Sequence, residues 1–177
     1  MSKGFISTGV NVKHFLRVAA LFILRVRVRY SAGSLNQLGR GKTITVANHV
    51  SLLDGPILAL LSPVPMTFAV HTDYSRRSRL AVAGMNMMAR MGFGSVVPLD
   101  SQSPYGMRKL LRVLDEGGNV MIFPEGGING GTVQPGLSWL MDKSGAGLVE
   151  VKITGAEKSR LFAKNGVEWM PRIGVEF

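Results

Sequence analysis

The stretch TITVANHVSLLDG, residues 43–55, decides how this sequence folds. Its first five residues are mostly β-branched and predict a buried strand, and the apolar residues 54–61 that follow it predict a helix. Ser51 and Asp54 are the candidate N-caps of that helix. Because ligand sites of α/β proteins lie beyond the carboxyl ends of strands, the loop around His49 is a candidate functional site.

The rest of the chain repeats this alternation of strand and helix. Strand-like runs are predicted at residues 25–30, 43–47, 66–70, 95–99, 119–123, 148–153 and 172–177. Helical spacing is found at residues 12–24, 54–61, 77–91, 103–116 and 135–143. Ser103 is the expected N-cap of the fourth helix, and Gly117 and Gly145 are expected to end the last two. The pattern predicts an α/β fold: a single domain with a largely parallel central sheet flanked by helices.

The amino-acid composition and net charge of the chain exclude several classes of protein and of partner. The 177 residues are 46% hydrophobic and 18% charged, which fits one globular domain and excludes a disordered or multi-span membrane protein. The net charge of +10 favours an anionic partner, such as acidic lipid, a phosphorylated substrate or an acidic protein. Aromatic residues do not alternate with the basic ones, and no nucleic-acid motif occurs, so nucleic acid is not an expected partner.

The absence of cysteine excludes disulfides, cysteine-ligated metals and a thiol nucleophile. The three histidines, His14, His49 and His71, form no ligand pattern, so no metal is expected. We interpret His71 as a spectator or a group of the substrate channel.

The first 24 residues are predicted to form an amphipathic basic segment. Apolar residues at helical spacing are Val12, Phe15, Leu16, Ala19, Phe22 and Ile23, while Lys13 and Arg17 lie on another side. The longest apolar run, residues 18–24, is too short to span a bilayer, and arginines rather than a cleavage site follow it. Residues 1–24 are therefore expected to lie on a membrane surface; the alternative is an ordinary packed helix with solvated cations.

Residues 36–43, NQLGRGKT, end like a phosphate-binding loop. That motif requires glycine where Asn36 stands and a helix directly after Lys42-Thr43, whereas a strand is predicted there. We interpret this segment as a polar turn leading into the strand.

His49 and Asp54 have the spacing of a catalytic pair. One helical turn lets the Asp54 carboxylate accept a proton from one imidazole nitrogen, so that the other nitrogen acts as a base. No serine stands in a nucleophile elbow, which assigns the nucleophile to the substrate. The alternative makes Asp54 a helix cap and His49 an ordinary loop residue.

A second candidate loop is VMIFPEGGINGG, residues 120–131. It places Glu125 at a strand terminus, followed by glycines whose backbone allows close approach of a ligand. The alternative is a glycine-rich turn with an exposed carboxylate.

Together, Asn48-His49-x-Ser51-x-x-Asp54 and Phe123-Pro124-Glu125-Gly126 resemble two signature blocks of the glycerolipid acyltransferases. Residues 93–100 and 149–157 resemble two further blocks, and the likeness extends from about residue 16 to the C-terminus. Pro-Leu-Asp at 98–100 and Thr-Gly-Ala-Glu at 154–157 are most similar to the bifunctional branch, which joins a 2-acylglycerophosphoethanolamine acyltransferase to an acyl-carrier-protein synthetase.

The resemblance implies an O-acyltransferase that needs no cofactor. It implies transfer of a fatty acyl group from an acyl-carrier-protein or coenzyme A thioester to a lysophospholipid of the lysophosphatidylethanolamine type. The reaction would take place at the cytoplasmic face of a membrane. Residues 25–177 would form the acyltransferase domain. The alternatives are a lysophosphatidic acid acyltransferase and a non-catalytic basic lipid-binding relative. His49 and Asp54 would be catalytic, and the expected substrate-binding residues include Glu125, Gly126, Asn48 and Ser51.

Three positions depart from the pattern of this family. Gly127 stands where the family usually has an arginine that holds the acceptor phosphate, and Glu150 stands where it has proline. Ser101 follows Asp100 where many members have arginine, as in the bifunctional branch. Phosphate binding is therefore expected to involve other cations, for which the candidates are Arg76, Arg77, Arg108 and Lys109.

Overall fold

The computed structural model describes residues 7–71, 89–90, 92–100, 103–125 and 135–177. Its strands are β1 (Val26–Arg29), β2 (Thr43–Ala47), β3 (Met66–His71), β4 (Ser95–Leu99), β5 (Asn119–Ile122), β6 (Gly147–Thr154) and β7 (Ile173–Glu176). Its helices are α1 (Ser7–Ile23), α2 (Ala32–Arg40), α3 (Asp54–Leu61), α4 (Tyr105–Asp115) and α5 (Gly136–Ser144), with a 3₁₀ turn at Ala156–Lys158.

The described strands form one sheet in the order β1-β7-β6-β2-β5-β3-β4. Neighbours are parallel except β6 and β7, which pair antiparallel. This confirms the predicted α/β domain with a largely parallel central sheet. β2 lies between β5 and β6, so the loop after β2 is flanked by the loops that follow its two neighbours.

Different helices cover the two faces of the sheet, and their apolar side chains form two core clusters. One core cluster contains Leu38 of α2 and Ile57 of α3, together with partly buried residues from the end of α1. The other contains Leu110 of α4 and Leu140 of α5. Because β2 contributes Ala47 to the first cluster and Ile44 to the second, its alternating side chains are buried on both faces.

Burial alternates along β1 and β6, as the period-two pattern at residues 25–30 predicts for β1. In β1 the valines are half-buried and the arginines exposed, and in β6 exposed and buried residues alternate from Leu148 to Thr154. Within the described part of the chain, these two strands are therefore covered on one face only.

The interpretation of residues 36–43 as a polar turn was wrong for its first half. Residues 36–40 belong to α2, whose N-cap Ser31 accepts a hydrogen bond from the Ser34 amide at 3.0 Å and whose Leu38 is buried. The turn itself is confined to Gly41 and Lys42, both with positive φ. A strand follows this turn, as predicted.

The predicted start of α4 is wrong, whereas the predicted end of α5 is confirmed. Ser103 is not the N-cap of α4, because Pro104 occupies that position and Ser103 Oγ accepts only a long contact of 3.4 Å from the Tyr105 amide. Gly145 ends α5 in the left-handed conformation, as predicted. Of the helix predicted at residues 77–91, residues 77–88 and 91 lie outside the described part of the chain.

The carbonyl of Leu61, at the end of α3, ties the N-terminal helix to the domain. It accepts hydrogen bonds from Tyr30 Oη at 2.6 Å and from Arg17 Nη2 at 3.0 Å, and the Tyr30 ring packs on Phe177 with centroids 5.0 Å apart. Arg17, predicted to lie among the surface cations, therefore makes an internal contact. Burial raises the pKa of Tyr30, and the neighbouring Arg17 charge partly opposes this.

We predict that Tyr30→Phe lowers the free energy of unfolding by about 1 kcal/mol, because it removes one part-buried hydrogen bond. The raised pKa means that the Tyr30 contribution is complete below the ordinary tyrosine pKa of 10.0 and is lost as pH rises through the higher folded-state value. Urea denaturation at neutral and alkaline pH measures both effects. The exposed Tyr105→Phe serves as control; equal stability of the two variants would contradict the prediction.

Candidate active site

Asp54, the first residue of α3, is fully buried and turns its carboxylate back toward the loop that follows β2. Its Oδ2 atom accepts hydrogen bonds from His49 Nδ1 at 2.9 Å, the Val50 amide at 2.7 Å and the Ser51 amide at 2.8 Å. Three donors therefore converge on one carboxylate oxygen.

This arrangement fixes the imidazole of His49. A carboxylate only accepts hydrogen bonds, so Nδ1 carries the proton that it donates to Asp54. In the neutral ring the lone pair then resides on Nε2, which is the atom that can take a proton from a substrate hydroxyl.

The alternative in which Asp54 is a helix cap is wrong. The N-cap of α3 is Leu53, and no side chain caps its amides. Asp54 binds amides that precede the helix, and Ser51 Oγ accepts from the Leu53 amide at 3.2 Å as a local turn contact. Neither predicted cap residue occupies the cap position.

Asn48 continues the sheet with its side chain. Its Nδ2 donates to the Ile153 carbonyl at 2.8 Å, and its Oδ1 accepts from the Ile153 amide at 2.7 Å. These bonds extend the β2–β6 ladder by one step beyond Ala47 and Val151. Asn48 thereby holds the start of the His49 loop against β6, while its predicted role in substrate binding stays a prediction.

Ser51 is fully buried and joins the His49 loop to a distant segment. Ser51 Oγ donates to the Phe162 carbonyl at 3.3 Å, and the Leu52 amide donates to the same oxygen at 2.9 Å. Its substrate-binding role likewise stays a prediction.

The second candidate loop lies beside the first because β5 pairs with β2. The Phe123 ring, directly after β5, stacks on the His49 ring with centroids 4.3 Å apart and an angle of 22° between the planes. Glu125, two residues further on, is half-buried. The two motifs that are separated by about 70 residues in the sequence thus meet at one edge of the sheet.

The remaining candidates divide into two groups. Arg108 and Lys109 are exposed on α4. Arg76, Arg77, Gly126 and Gly127 lie outside the described residues, and the side chain of His71 is also outside them although its backbone ends β3. In the described part of the chain, no group of three or more His, Cys, Asp or Glu residues could hold a metal ion.

Sequence reasoning missed two contributors to the site. Phe123 was part of the quoted motif, but its contact with His49 depends on the register of β2 and β5. The Phe162 carbonyl lies 111 residues from Ser51, and a backbone acceptor at such a distance leaves no pattern in the sequence.

Comparisons with known proteins identify the family of this chain. The family model described as "Acyltransferase" matches residues 25–160, and the chain belongs to that family. The fold is similar to the crystal structure of the 1-acyl-sn-glycerophosphate (LPA) acyltransferase PlsC from Thermotoga maritima, with a TM-score of 0.58 and 18% sequence identity over 97% of this chain and 71% of that chain. The protein is an acyltransferase of this family.

We predict that Asp54→Ala lowers the free energy of unfolding by about 2–4 kcal/mol, because two backbone amides and the imidazole lose their buried acceptor. The exposed Asp142→Ala is the matched control and should change it by less than about 0.5 kcal/mol. Urea titration of both variants measures the difference. A stability loss for Asp54→Ala no larger than that of Asp142→Ala would contradict the central place given to this carboxylate.

Proposed function

We propose that this protein transfers a fatty acyl group from an acyl-carrier-protein or coenzyme A thioester to the glycerol hydroxyl of a lysophospholipid. The observation that carries the proposal is the His49–Asp54 contact at 2.9 Å, located at the carboxyl edge of the central strand and beside the Glu125 loop. Membership in the acyltransferase family supplies the reaction class.

The proposed mechanism needs no acyl-enzyme. His49 Nε2 takes the proton of the acceptor hydroxyl as its oxygen attacks the thioester carbonyl carbon, and Asp54 stabilises the imidazolium that forms. When the carbon–sulfur bond breaks, the imidazolium returns its proton to the leaving thiolate. The products are the acylated phospholipid and the released thiol carrier, and His49 is again neutral.

We propose a lysophospholipid with an esterified headgroup, of the lysophosphatidylethanolamine type, as acceptor. Gly127 replaces the arginine that the family pattern places after Pro-Glu-Gly, so less positive charge faces the phosphate from that loop. A phosphodiester carries less charge than the monoester of lysophosphatidic acid and needs less compensation. Glu125, Gly126, Arg76, Arg77, Arg108 and Lys109 are the proposed acceptor-binding residues.

The proposed donor is an acyl thioester on an acidic carrier protein, with coenzyme A as the alternative. The net charge of +10 favours approach of an acidic protein by long-range attraction. The same attraction applies to the phosphates of coenzyme A, so charge supports both donors.

We also propose that residues 1–24 hold the protein on the cytoplasmic face of a membrane. The apolar face predicted for α1 is largely uncovered: Phe15, Phe22 and Ile23 are exposed, while Leu21 and Leu24 pack on the core. In the described part of the chain, no helix is long and apolar enough to cross a bilayer. An exposed apolar helix face on a basic protein suits an interfacial position.

His49→Gln is expected to reduce acyl transfer by about 10²–10⁴-fold, because it removes the proposed base. Glutamine is preferable to alanine because the His49 side chain is 13% exposed and stacked on Phe123, so truncation would also disturb packing. Mass spectrometry of products from acyl-carrier-protein and coenzyme A thioesters with a lysophospholipid panel measures the rate. Wild-type turnover in His49→Gln would refute the mechanism, and an inactive wild-type protein would favour the non-catalytic alternative.

The acceptor proposal predicts faster acylation of lysophosphatidylethanolamine than of lysophosphatidic acid by the wild-type protein. Gly127→Arg should shift this preference toward lysophosphatidic acid, since a guanidinium pairs with a phosphate monoester through two hydrogen bonds. Gly127→Ala controls for steric effects of any side chain at this position. A wild-type preference for lysophosphatidic acid would instead support the alternative acceptor.

A further inference from the structure

The segment of residues 159–170, here called the C-terminal loop, exposes large apolar side chains. Val167 is 81% and Trp169 is 62% exposed, and Leu161 and Met170 are also exposed, to a smaller extent. Single exposed apolar residues are common on protein surfaces, but four of them on one short loop form a patch of the kind that marks an interaction surface.

Hydrogen bonds within the backbone hold the C-terminal loop in this form. The Arg160 amide donates to the Glu168 carbonyl at 2.7 Å, and the Glu168 amide donates to the Lys158 carbonyl at 2.9 Å. Gly166 packs so closely on the backbone of Ser159 that no Cβ fits there. Val167 and Trp169, which flank Glu168, cannot turn inward without breaking these bonds, so their exposure is built into the fold.

Positive charge surrounds the apolar patch. The Arg160 guanidinium lies 5.3 Å from the centre of the Trp169 ring, and Arg25 Nη1 donates to the Met170 carbonyl at 3.0 Å. Further exposed cations on or next to the loop are Lys158, Lys164 and Arg172, against the exposed acids Glu157 and Glu168. Apolar side chains next to an excess of arginine and lysine complement an anionic lipid surface.

The hydrogen bond from Arg25 to the Met170 carbonyl brings the end of α1 next to the C-terminal loop. Arg25 follows α1 by two residues, and besides its side-chain bond to Met170 its carbonyl accepts from the Ile173 amide at 3.2 Å. The exposed Phe22 and Ile23 are within three residues of this junction. Two apolar segments that are distant in the sequence therefore adjoin each other.

The C-terminal loop is also bonded to the catalytic loop. The Phe162 carbonyl accepts both the Leu52 amide at 2.9 Å and Ser51 Oγ at 3.3 Å, and the amide of Ser51 in turn binds Asp54. Wherever the C-terminal loop docks, the loop that carries His49 is held at a fixed place relative to that surface.

We propose that the C-terminal loop inserts Trp169 and Val167 into the interfacial layer of an anionic bilayer and, together with the end of α1, seats the His49 loop at the lipid surface. The benefit of this placement rests on the proposed function, since a lysophospholipid acceptor resides in that layer. A second copy of this chain fits the surface less well, because the cations around the two patches would repel each other.

The two tryptophans of the sequence, Trp139 and Trp169, allow a direct test. Trp139→Phe leaves Trp169 as the fluorophore, and Trp169→Phe leaves Trp139, which lies on α5. On addition of vesicles of phosphatidylglycerol and phosphatidylcholine, the Trp169 emission should shift to shorter wavelength and be quenched by brominated acyl chains. The Trp139 emission should do neither, and vesicles of phosphatidylcholine alone should give a smaller Trp169 response.

Three results would overturn the proposal. The first is an unchanged Trp169 signal under conditions in which the protein floats with the vesicles. The second is an equal response of both tryptophans. The third is a Trp169 shift that grows with protein concentration in the absence of lipid, which would assign the surface to a second copy of the chain.

A second pair of variants separates this proposal from the proposed function. Val167→Ser/Trp169→Ser should weaken vesicle binding by about tenfold or more, because large apolar side chains no longer enter the lipid. Its turnover of a short-chain, monomeric lysophospholipid should equal that of Trp139→Ser. Vesicle binding by the double variant equal to that of Trp139→Ser would refute the lipid anchor. A lipid-dependent Trp169 shift in Trp139→Phe, together with a wild-type protein inactive on every acceptor, would support the anchor and refute the acyl-transfer proposal.

Discussion

The buried carboxylate of Asp54 is the group on which the candidate site depends. A fully buried charge is costly unless hydrogen bonds replace its hydration. Here three donors do so at Oδ2, whereas Oδ1 is buried without a hydrogen-bond partner among the described residues. Two of these donors are backbone amides of the loop after β2, and the third is the imidazole of His49. The shape of the loop and the orientation of the proposed base therefore have the same physical cause.

The sheet supplies the rest of the arrangement. β2 is central, so its neighbours present their own loops to His49: Phe123 from the β5 side stacks on the imidazole, and Asn48 bonds to Ile153 of β6. The C-terminal loop adds the Phe162 carbonyl as an acceptor. Together with the Asp54 bond, these contacts hold the His49 loop and its imidazole in place, which an acid–base group requires if it is to act without reorganisation.

Sequence patterns predicted the features that depend on residues close together in the chain. The β-branched run at 43–47 and the apolar run at 54–61 form the predicted strand and helix, and the His49–Asp54 spacing indicated their contact. The direction of the Asp54 carboxylate was ambiguous, because the same spacing suits a helix cap; only the buried loop amides decide it. The helix α2 was missed because its two glycines, Gly33 and Gly39, weaken helix propensity, whereas burial of Leu38 stabilises it.

The His49–Asp54 hydrogen bond allows only one tautomer of the neutral His49 ring. Nitrogen NMR of histidine-labelled protein, at a pH where the ring is neutral and with the signal assigned by comparison with His49→Gln, reports which ring nitrogen carries the proton. We expect a proton on Nδ1, hydrogen-bonded to Asp54, and an Nε2 that bears the lone pair needed to take a substrate proton. A neutral His49 with its proton on Nε2 would rule out its proposed role as the base.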